Sequence, residues 1–440
     1  MYNCSLKITM RRFTTIIFSL VFCTAFSQKS AKIFTSDIDN FWVAYDSIQK
    51  TNDHSGKLDL IKKLYTDKAT KGLKAFMKAR NYNDSVYVKV IGQYPKFWNS
   101  VRPNTLTIKT KTKELEASVA RLKELYPALK DAEMYFTIGG LNAGGTVSGD
   151  MVLVGAELAT GLPSTDTSEF KDEWLKSLFA NQSLDNIVFL NIHEYVHTQQ
   201  TGSQNRVLNQ AIKEGSCDLI AELAMKESPE RRYISYGTAH DVEVKDQFKK
   251  EMFTSNLANW FYNGKQKGEG ADLGYYVGYV ISKMYYQNAK DKKQAIKDII
   301  ELNYSDNKSV EDFLDKSKFF KEKIDKLVKE YQSKLPYVVK IEPANGSEDV
   351  NADTKELRIT FSQEMVPGKY SFNLSDKGKE YNPMTKIAGM ENNNKTLLVL
   401  VDLKPNKEYE FVLTNKGFIS KEGHPLRDEK LLIKFTTGNK

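Results

Sequence analysis

The sequence predicts an α+β domain made mainly of helices, followed by a smaller all-β sandwich domain. Three observations lead to this fold class. Apolar residues recur at helical spacing through most of the first 334 residues, whereas short alternating runs separated by turn formers begin near residue 335. The length of 440 residues leaves room for two or three domains. A hydrophobic content of 40% and an aromatic content of 11% are typical of globular proteins. We therefore expect one domain over residues 28–334 and a second over residues 335–440.

The first 27 residues are predicted to be an export signal. Basic residues precede a short apolar run over residues 13–23, and the small residues Ala25 and Ser27 follow it. The run is shorter than the roughly 20 residues that span a bilayer, so we expect no transmembrane anchor. The mature chain is then expected in the periplasm, at the cell surface or outside the cell. Lipid attachment at Cys23 is the less favoured alternative, because the bulky Phe22 precedes it.

Residues 28–130 are predicted to be helical. Their apolar residues fall into stripes at helical spacing, which we assign to the core. The stripes are Ile38, Phe41, Trp42, Tyr45 and Ile48, behind a candidate N-cap at Ser36; Leu58, Ile61, Leu64 and Tyr65; and Leu115, Val119, Leu122 and Leu125.

The periodicity changes over the next segment. Residues 134–138 and 151–154 are β-prone runs on either side of GGLNAGGTVSG, which predicts a hairpin or a pair of strands with a long loop. The loop lacks the Gly-Lys-Ser/Thr ending of a phosphate-binding loop, so nucleotide binding is not expected. In a peptidase, one of these strands could line the cleft and pair with an extended peptide.

The sequence HEYVH lies in a predicted helix over residues 186–200. Positions i and i+4 share a helix face, so His193 and His197 can bind one metal ion together. Glu194 lies beside them, where its carboxylate can reach a water on that metal. This is the arrangement of a zinc hydrolase, and it predicts Zn²⁺ as the cofactor.

The next predicted helix, residues 208–226, carries EGSCD. Glu214 is the leading candidate for the third ligand, and Glu222 is the alternative two turns further on. Asp218 is expected to accept the free ring N–H of a zinc-bound imidazole. Gly215 is expected where the two helices approach most closely. Cys217, the one cysteine left after removal of the signal, is expected to be a small buried residue rather than a ligand or nucleophile.

Catalysis by such a site needs a base and a donor to the oxyanion. Zinc lowers the pKa of bound water towards about 7, and Glu194 would accept its proton and pass it to the leaving amine. Tyr275, Tyr276 and His240 are the candidate oxyanion donors. His240 lies in a stretch predicted to be irregular, and further helices are predicted over residues 272–287, 292–302 and 310–332.

The HExxH and ExxxD segments resemble those of the gluzincin zinc metallopeptidases. The stretch from the Gly-rich segment through HEYVHTQQ and EGSCD to GYYVGY, residues 130–290, also looks like a family of predicted bacterial zinc-dependent proteases. The resemblance implies a zincin-like fold. It also implies His193, His197 and Glu214 as ligands, Glu194 as base and Asp218 as the partner of a ligand imidazole.

The last hundred residues are predicted to form a β-sandwich. Alternation and turn formers mark six strand candidates over residues 337–341, 357–361, 370–374, 396–401, 409–413 and 431–435. The segment IEPANGSEDVNADTKELRITFSQEM is similar to bacterial Ig-like domains of the S-layer type. Such modules imply a spacer or adhesion role, with a cell-surface or glycan partner.

These observations together predict an exported zinc metallopeptidase that hydrolyses peptide bonds in a peptide or protein substrate. The net charge of +8 comes from scattered lysines, so nucleic acid is not an expected partner. The alternative is a non-catalytic surface protein that uses zinc for structure and the sandwich for binding. A closed structural site would need a fourth protein ligand, which Cys217 or His240 would have to supply.

Overall fold

A computed structural model of the protein describes residues 32–180, 182–203, 205–227 and 231–439. A helical N-terminal region is followed by an all-β C-terminal region, and each has its own hydrophobic core. The predicted export signal and Cys23 lie outside the described residues. Within the described residues, no helix combines the length and the apolar character that crossing a membrane requires.

The first part of the chain is helical, as predicted, except for a short unpredicted strand over Lys32–Phe34, and its apolar stripes are largely buried. Phe41 and Trp98 pack with ring centroids 5.0 Å apart at the centre of this region. Ser36 is the first residue of its helix and not the cap, because Thr35 occupies the N-cap position. The elements are β1 (Lys32–Phe34), α1 (Ser36–Ile48), α2 (His54–Ile61), α3 (Lys71–Arg80), α4 (Asp84–Gln93) and α5 (Pro95–Leu125).

A four-stranded sheet follows, in the order β1-β2-β4-β3. Its further strands are β2 (Glu133–Thr137), β3 (Gly145–Ser148) and β4 (Met151–Gly155). Of the two predicted alternatives for residues 134–138 and 151–154, the hairpin is wrong and the pair of strands with a long connection is present, because β2 and β4 pair in parallel. Both are buried on both faces, which is the pattern of parallel strands. The Gly-rich segment instead supplies β3, which turns back antiparallel onto β4 and forms the edge of the sheet.

Helices make up the rest of this region. They are α6 (Ala156–Ala159), α7 (Glu173–Phe179), α8 (Asn186–His197), α9 (Val207–Met225), α10 (Arg232–Ala239), α11 (Asp241–Glu251), α12 (Gly264–Lys267), α13 (Leu273–Asn288), α14 (Lys292–Ile300), α15 (Asn307–Ser317) and α16 (Ile324–Ser333). The single helix predicted over residues 310–332 is two helices, because α15 ends at Lys318 in the left-handed conformation. The stretch around His240 is not irregular, since it joins α10 directly to α11.

Glycines bring α9 and α13 into backbone contact. A Cβ on Gly278 would lie 1.6 Å from the carbonyl oxygen of Ala211, and one on Gly215 would lie 2.0 Å from the amide nitrogen of Tyr279. Gly215 was expected to face the helix that carries the histidines; it faces α13 instead. Helices this close require glycine at both positions.

The C-terminal region is a sandwich of two antiparallel sheets, in the orders β5-β6-β9-β8 and β11-β10-β7. Leu357, Ile359 and Phe361 of one sheet and Phe411 and Leu413 of the other are buried between them. All six predicted strands are present; the unpredicted seventh is β8. The strands are β5 (Val338–Glu342), β6 (Glu356–Phe361), β7 (Phe372–Leu374), β8 (Met384–Glu391), β9 (Thr396–Val401), β10 (Glu408–Thr414) and β11 (Lys430–Thr436).

Candidate metal centre

Three donor atoms from α8 and α9 converge on one point. The Nε2 atoms of His193 and His197 lie 3.1 Å apart, and Oε2 of Glu214 lies 3.1 Å from the second and 3.5 Å from the first. His193 and Glu214 are buried and His197 is nearly so. The i,i+4 spacing on α8 supplies the two imidazoles, and the packing of α9 against α8 supplies the carboxylate.

Hydrogen bonds at the other ring nitrogens fix which nitrogen of each imidazole is free. Nδ1 of His193 lies 2.8 Å from Oδ1 of Asp218, and Nδ1 of His197 lies 2.8 Å from Oε1 of Gln200. Both partners are acceptors. The carboxylate of Asp218 has no hydrogen to donate, and the amide nitrogen of Gln200 already donates to the Lys213 carbonyl and the Ser216 hydroxyl, which leaves its Oε1 to accept. Each Nδ1 therefore carries a proton, and when both imidazoles are neutral their Nε2 lone pairs point at each other.

Three lone-pair donors at such distances repel one another unless a cation lies between them. In the metal-free protein that cation is a proton. Burial lowers the pKa of His193, but the carboxylates of Asp218 and Glu214 outweigh burial and raise that pKa to about 10. Burial raises the pKa of Glu214, but the two histidines outweigh it and hold that pKa well below its ordinary value.

The donor set also has the geometry that a tetrahedral metal requires. Nitrogen and oxygen ligands about 2.0–2.2 Å from one tetrahedral zinc lie about 3.3–3.6 Å apart, close to the separations in this cluster. Two neutral imidazoles and a carboxylate leave a fourth position for solvent or substrate. The residues present therefore fit a zinc ion of the catalytic type.

Two other residues considered for this metal face elsewhere. Glu222 accepts hydrogen bonds from the Tyr279 hydroxyl and from Lys283 Nζ at 3.0 Å, so it is directed towards α13. Cys217 is buried, and its Sγ lies 3.4 Å from Nδ1 of His197, the nitrogen that does not face His193. Although Cys217 is near both histidines, it lies off the point where the three donors converge. Burial raises the pKa of its thiol well above the ordinary value, which suits a small core residue.

A cavity of about 210 Å³ lies against the donor cluster. Glu194, one residue after His193, lines it and is partly exposed there. Tyr275 lines it too, with its ring centroid 6.3 Å from that of His193. Burial raises the pKa of the Tyr275 hydroxyl well above its usual range, so this hydroxyl stays protonated. A base and a neutral hydroxyl donor therefore face the same space beside the histidines.

The other two expected oxyanion donors lie elsewhere. The hydroxyl of Tyr276 donates to Oδ1 of Asp241 at 2.8 Å, because the adjacent position on α13 points towards α11 and not towards the cavity. His240 is exposed, stacks on Tyr236 and places its Nδ1 2.9 Å from the Tyr236 carbonyl oxygen. Neither Tyr276 nor His240 lines the cavity beside the donor cluster, so the structure does not place them where an oxyanion donor is needed.

Several residues at the site had no signal in the sequence. The hydroxyl of Tyr233 donates to Oδ2 of Asp218 at 2.8 Å, which leaves Oδ1 for His193. Arg231, Tyr262 and Asp272 line the cavity. Gln200 had a weak signal, since it follows His197 by three residues and can reach back along the helix.

The described fold and site define a two-domain protein with a buried His-His-Glu cluster in a helical region and a sandwich at its C-terminus. Residues 24–267 match the family model described as Gliding motility protein GldB, and residues 332–437 match the Bacterial Ig-like domain. The first match covers more than half of the chain, so the chain belongs to the GldB family. The second match confirms the Ig-like prediction. Neither description mentions a peptidase. Both are in keeping with an exported or cell-surface protein.

The chain has low similarity to individual proteins. No curated protein matches the chain. Among solved structures, CopC from Methylosinus trichosporium OB3b is 18% identical over 23% of this chain and 93% of its own, with a TM-score of 0.19. The surface layer protein SbsC, domains 1-6, is 10% identical over 91% of this chain and 41% of its own, with a TM-score of 0.18. The S-layer protein rSbsC(31-844) is 13% identical over 80% and 46%, with a TM-score of 0.19.

Proposed function

We propose that this protein is an exported zinc metallopeptidase of zincin-like fold. The observation that carries the proposal is the convergence of two imidazole nitrogens and one carboxylate oxygen within 3.1–3.5 Å. Both imidazoles are oriented from behind, by Asp218 and Gln200. A carboxylate that is not part of the donor set, Glu194, lines the adjoining cavity. A structural metal site has no need of such an acid.

The residues of the chain divide the work of peptide hydrolysis. A zinc ion at the cluster would polarise both a water molecule and the scissile carbonyl, bringing the pKa of that water towards about 7. Glu194 removes a proton from the water while the water oxygen bonds to the carbonyl carbon. Tyr275 donates a hydrogen bond to the carbonyl oxygen as negative charge develops there. Glu194 then delivers the proton to the amine nitrogen as the carbon–nitrogen bond breaks.

The sheet offers a place for an extended substrate. The strand β3 forms the sheet edge, and α8 packs beside β3 and β4. A peptide added along β3 would be held by backbone hydrogen bonds with little sequence preference. This supports a peptide or protein substrate.

The decisive experiment compares Glu194→Gln with wild type for zinc content and for cleavage of a peptide library. Glu243→Gln makes the same chemical change at an exposed position of α11 and serves as the control. We expect zinc to be retained in all three proteins and cleavage to be lost in Glu194→Gln alone. If zinc-loaded wild type cleaves no peptide, or if Glu194→Gln cleaves as well as wild type, the peptidase proposal is wrong.

A second candidate function is a zinc-stabilised surface binding protein that acts through its Ig-like domain. The match to a gliding motility family favours it, since that description concerns motility and not catalysis. A closed structural site would need a fourth protein ligand, and the positions of Cys217 and His240 do not provide one. Normal surface function in Glu194→Gln, together with no detectable cleavage by wild type, would favour this alternative.

We further propose that the chain is carried out of the cytoplasm by its first 27 residues. The basic residues and the apolar run at the start of the chain support this proposal. Lipid attachment at Cys23 stays the alternative. Labelling with radioactive palmitate, with Cys23→Ser as the control, separates lipid attachment from cleavage after Ser27.

A further inference from the structure

The cavity beside Glu194 contains one guanidinium group, that of Arg231. Arg231 precedes α10, and its guanidinium carbon lies 5.0 Å from the ring centroid of Phe189. Phe189 is on α8, one helical turn before His193. The stacking fixes the guanidinium relative to the helix that carries the metal-binding histidines.

The guanidinium of Arg231 has no acidic partner among the described residues. Its Nε is buried without a hydrogen-bond partner, and no carboxylate of the described residues lies within 4.0 Å of the group. Arg206 provides a contrast, since it stacks on Phe253 in the same way but also pairs with Glu311 at 2.7 Å. A half-buried cation with a buried, unpaired Nε and no counter-ion among the described residues is costly to hold, and an incoming anion would offset that cost.

We propose that Arg231 anchors a carboxylate of the substrate, so that the preferred substrates are peptides with a carboxylate close to the scissile bond. This inference rests on the proposed peptidase function. The planar guanidinium offers two parallel N–H donors, which match a carboxylate. The carboxylate belongs either to an acidic side chain or to the C-terminus of the peptide.

The rest of the cavity favours a single carboxylate over a larger or more highly charged ligand. Its volume of about 210 Å³ is below the roughly 300–1,000 Å³ of sites that enclose drug-sized molecules, so only a short part of a peptide fits. Glu194, Asp218 and Asp272 line the same space and would repel a doubly charged anion such as phosphate more strongly than a singly charged carboxylate. One guanidinium is matched by one carboxylate.

The test uses full-length, zinc-loaded protein and two pairs of peptides. One pair differs only by glutamate or glutamine in the sequence, and the other only by a free or amidated C-terminus. The variant is Arg231→Gln, and the matched control is Arg232→Gln, which removes the same charge from the exposed neighbouring residue. We expect Arg231→Gln to lower kcat/KM about 10- to 100-fold for the carboxylate member of one pair. The loss should be much smaller for the neutral counterpart, and Arg232→Gln should cleave both as wild type does.

Binding of the same peptides to Glu194→Gln, measured by calorimetry, separates this inference from the proposed function. A carboxylate preference that Arg231→Gln abolishes in the Glu194→Gln background supports the inference even if wild type cleaves nothing. Cleavage of all four peptides with equal kcat/KM would overturn the inference and leave the peptidase intact. An equal loss on both members of each pair in Arg231→Gln would also overturn it. The pair that shows the effect identifies the source of the carboxylate.

Discussion

The contact between His193 and Asp218 leads to a quantitative prediction about zinc affinity. The pKa of His193 in the metal-free protein is raised to about 10, so at pH 7 zinc must displace a proton from this imidazole. Because pH 7 lies three units below that pKa, displacing the proton reduces the free energy of zinc binding by about 4 kcal/mol. We therefore expect the apparent zinc affinity of wild type to rise about tenfold per pH unit between pH 7 and 9, with release of about one proton per zinc.

Asp218→Asn should flatten this dependence. The variant loses the negative charge and the charge-assisted hydrogen bond at 2.8 Å that raise the pKa of His193, while burial continues to lower it. With that pKa returned towards its ordinary value, zinc displaces little or no proton above pH 7. Loss of the orienting carboxylate also weakens metal affinity about 10- to 100-fold at any pH where the imidazole is neutral. The ratio of variant to wild-type Kd should therefore grow about 100-fold from pH 7 to pH 9.

The assay is a zinc titration against a competing chelator at pH 7, 8 and 9. Calorimetry in buffers of different ionisation enthalpy counts the protons released. Tyr233→Phe is the matched control, because it removes the hydrogen bond to Oδ2 of Asp218 but keeps the carboxylate charge. It should retain the wild-type slope. Parallel slopes for wild type and Asp218→Asn would refute the reasoning, because they would mean that Asp218 does not govern the protonation of His193.

Three further predictions concern catalysis, pH dependence and packing. Tyr275→Phe should lower kcat about 100-fold or more with zinc content unchanged, whereas Tyr276→Phe should leave kcat unaltered because its hydroxyl is bound to α11. The pKa of the fully buried Glu157 is raised by burial from 4.5 to about 7. The free energy of unfolding of wild type, measured against that of Glu157→Gln in urea titrations, should therefore fall by about 3 kcal/mol from pH 4.5 to 7. The reason is that Glu157 loses its proton at a lower pH in the unfolded chain than in the folded protein. A pH-independent difference between the two proteins would contradict this. Gly278→Ala should lower the free energy of unfolding, measured by thermal unfolding, by about 3 kcal/mol or more, because the new Cβ would meet the backbone of α9. Gly92→Ala, in open space on α4, should raise it by about 0.5–1 kcal/mol. Equal effects of the two substitutions would contradict the close approach of α9 and α13.

Local spacing accounts for the part of the site that could be predicted. His193 and His197 share a face because they are four residues apart, and Glu214 and Asp218 do so for the same reason on the next helix. Once two helices of that kind pack against each other, the four side chains meet. The choice of Glu214 over Glu222 follows from where along α9 the contact with α8 falls.

The rest of the site depends on contacts that no local pattern encodes. Arg231 and Tyr233 come from the start of α10, and Tyr262 comes from the segment before α13. The choice between Tyr275 and Tyr276 depends on how α13 is rotated about its own axis. In the sandwich, β8 was missed because its residues are exposed or half-buried and its register with β9 is irregular, so the alternation of a half-buried strand is absent.

The close approach of α9 and α13 positions the site as well as filling the core. Gly215 directly follows the proposed ligand Glu214, and Gly278 follows Tyr275 by three residues on α13. Because the two helices touch at these glycines, the ring of Tyr275 comes within 6.3 Å of the ring of His193. Side chains at either glycine would separate the helices and move the aromatic wall of the cavity away from the histidines. The glycines are therefore a geometric requirement of the cavity beside the donor cluster.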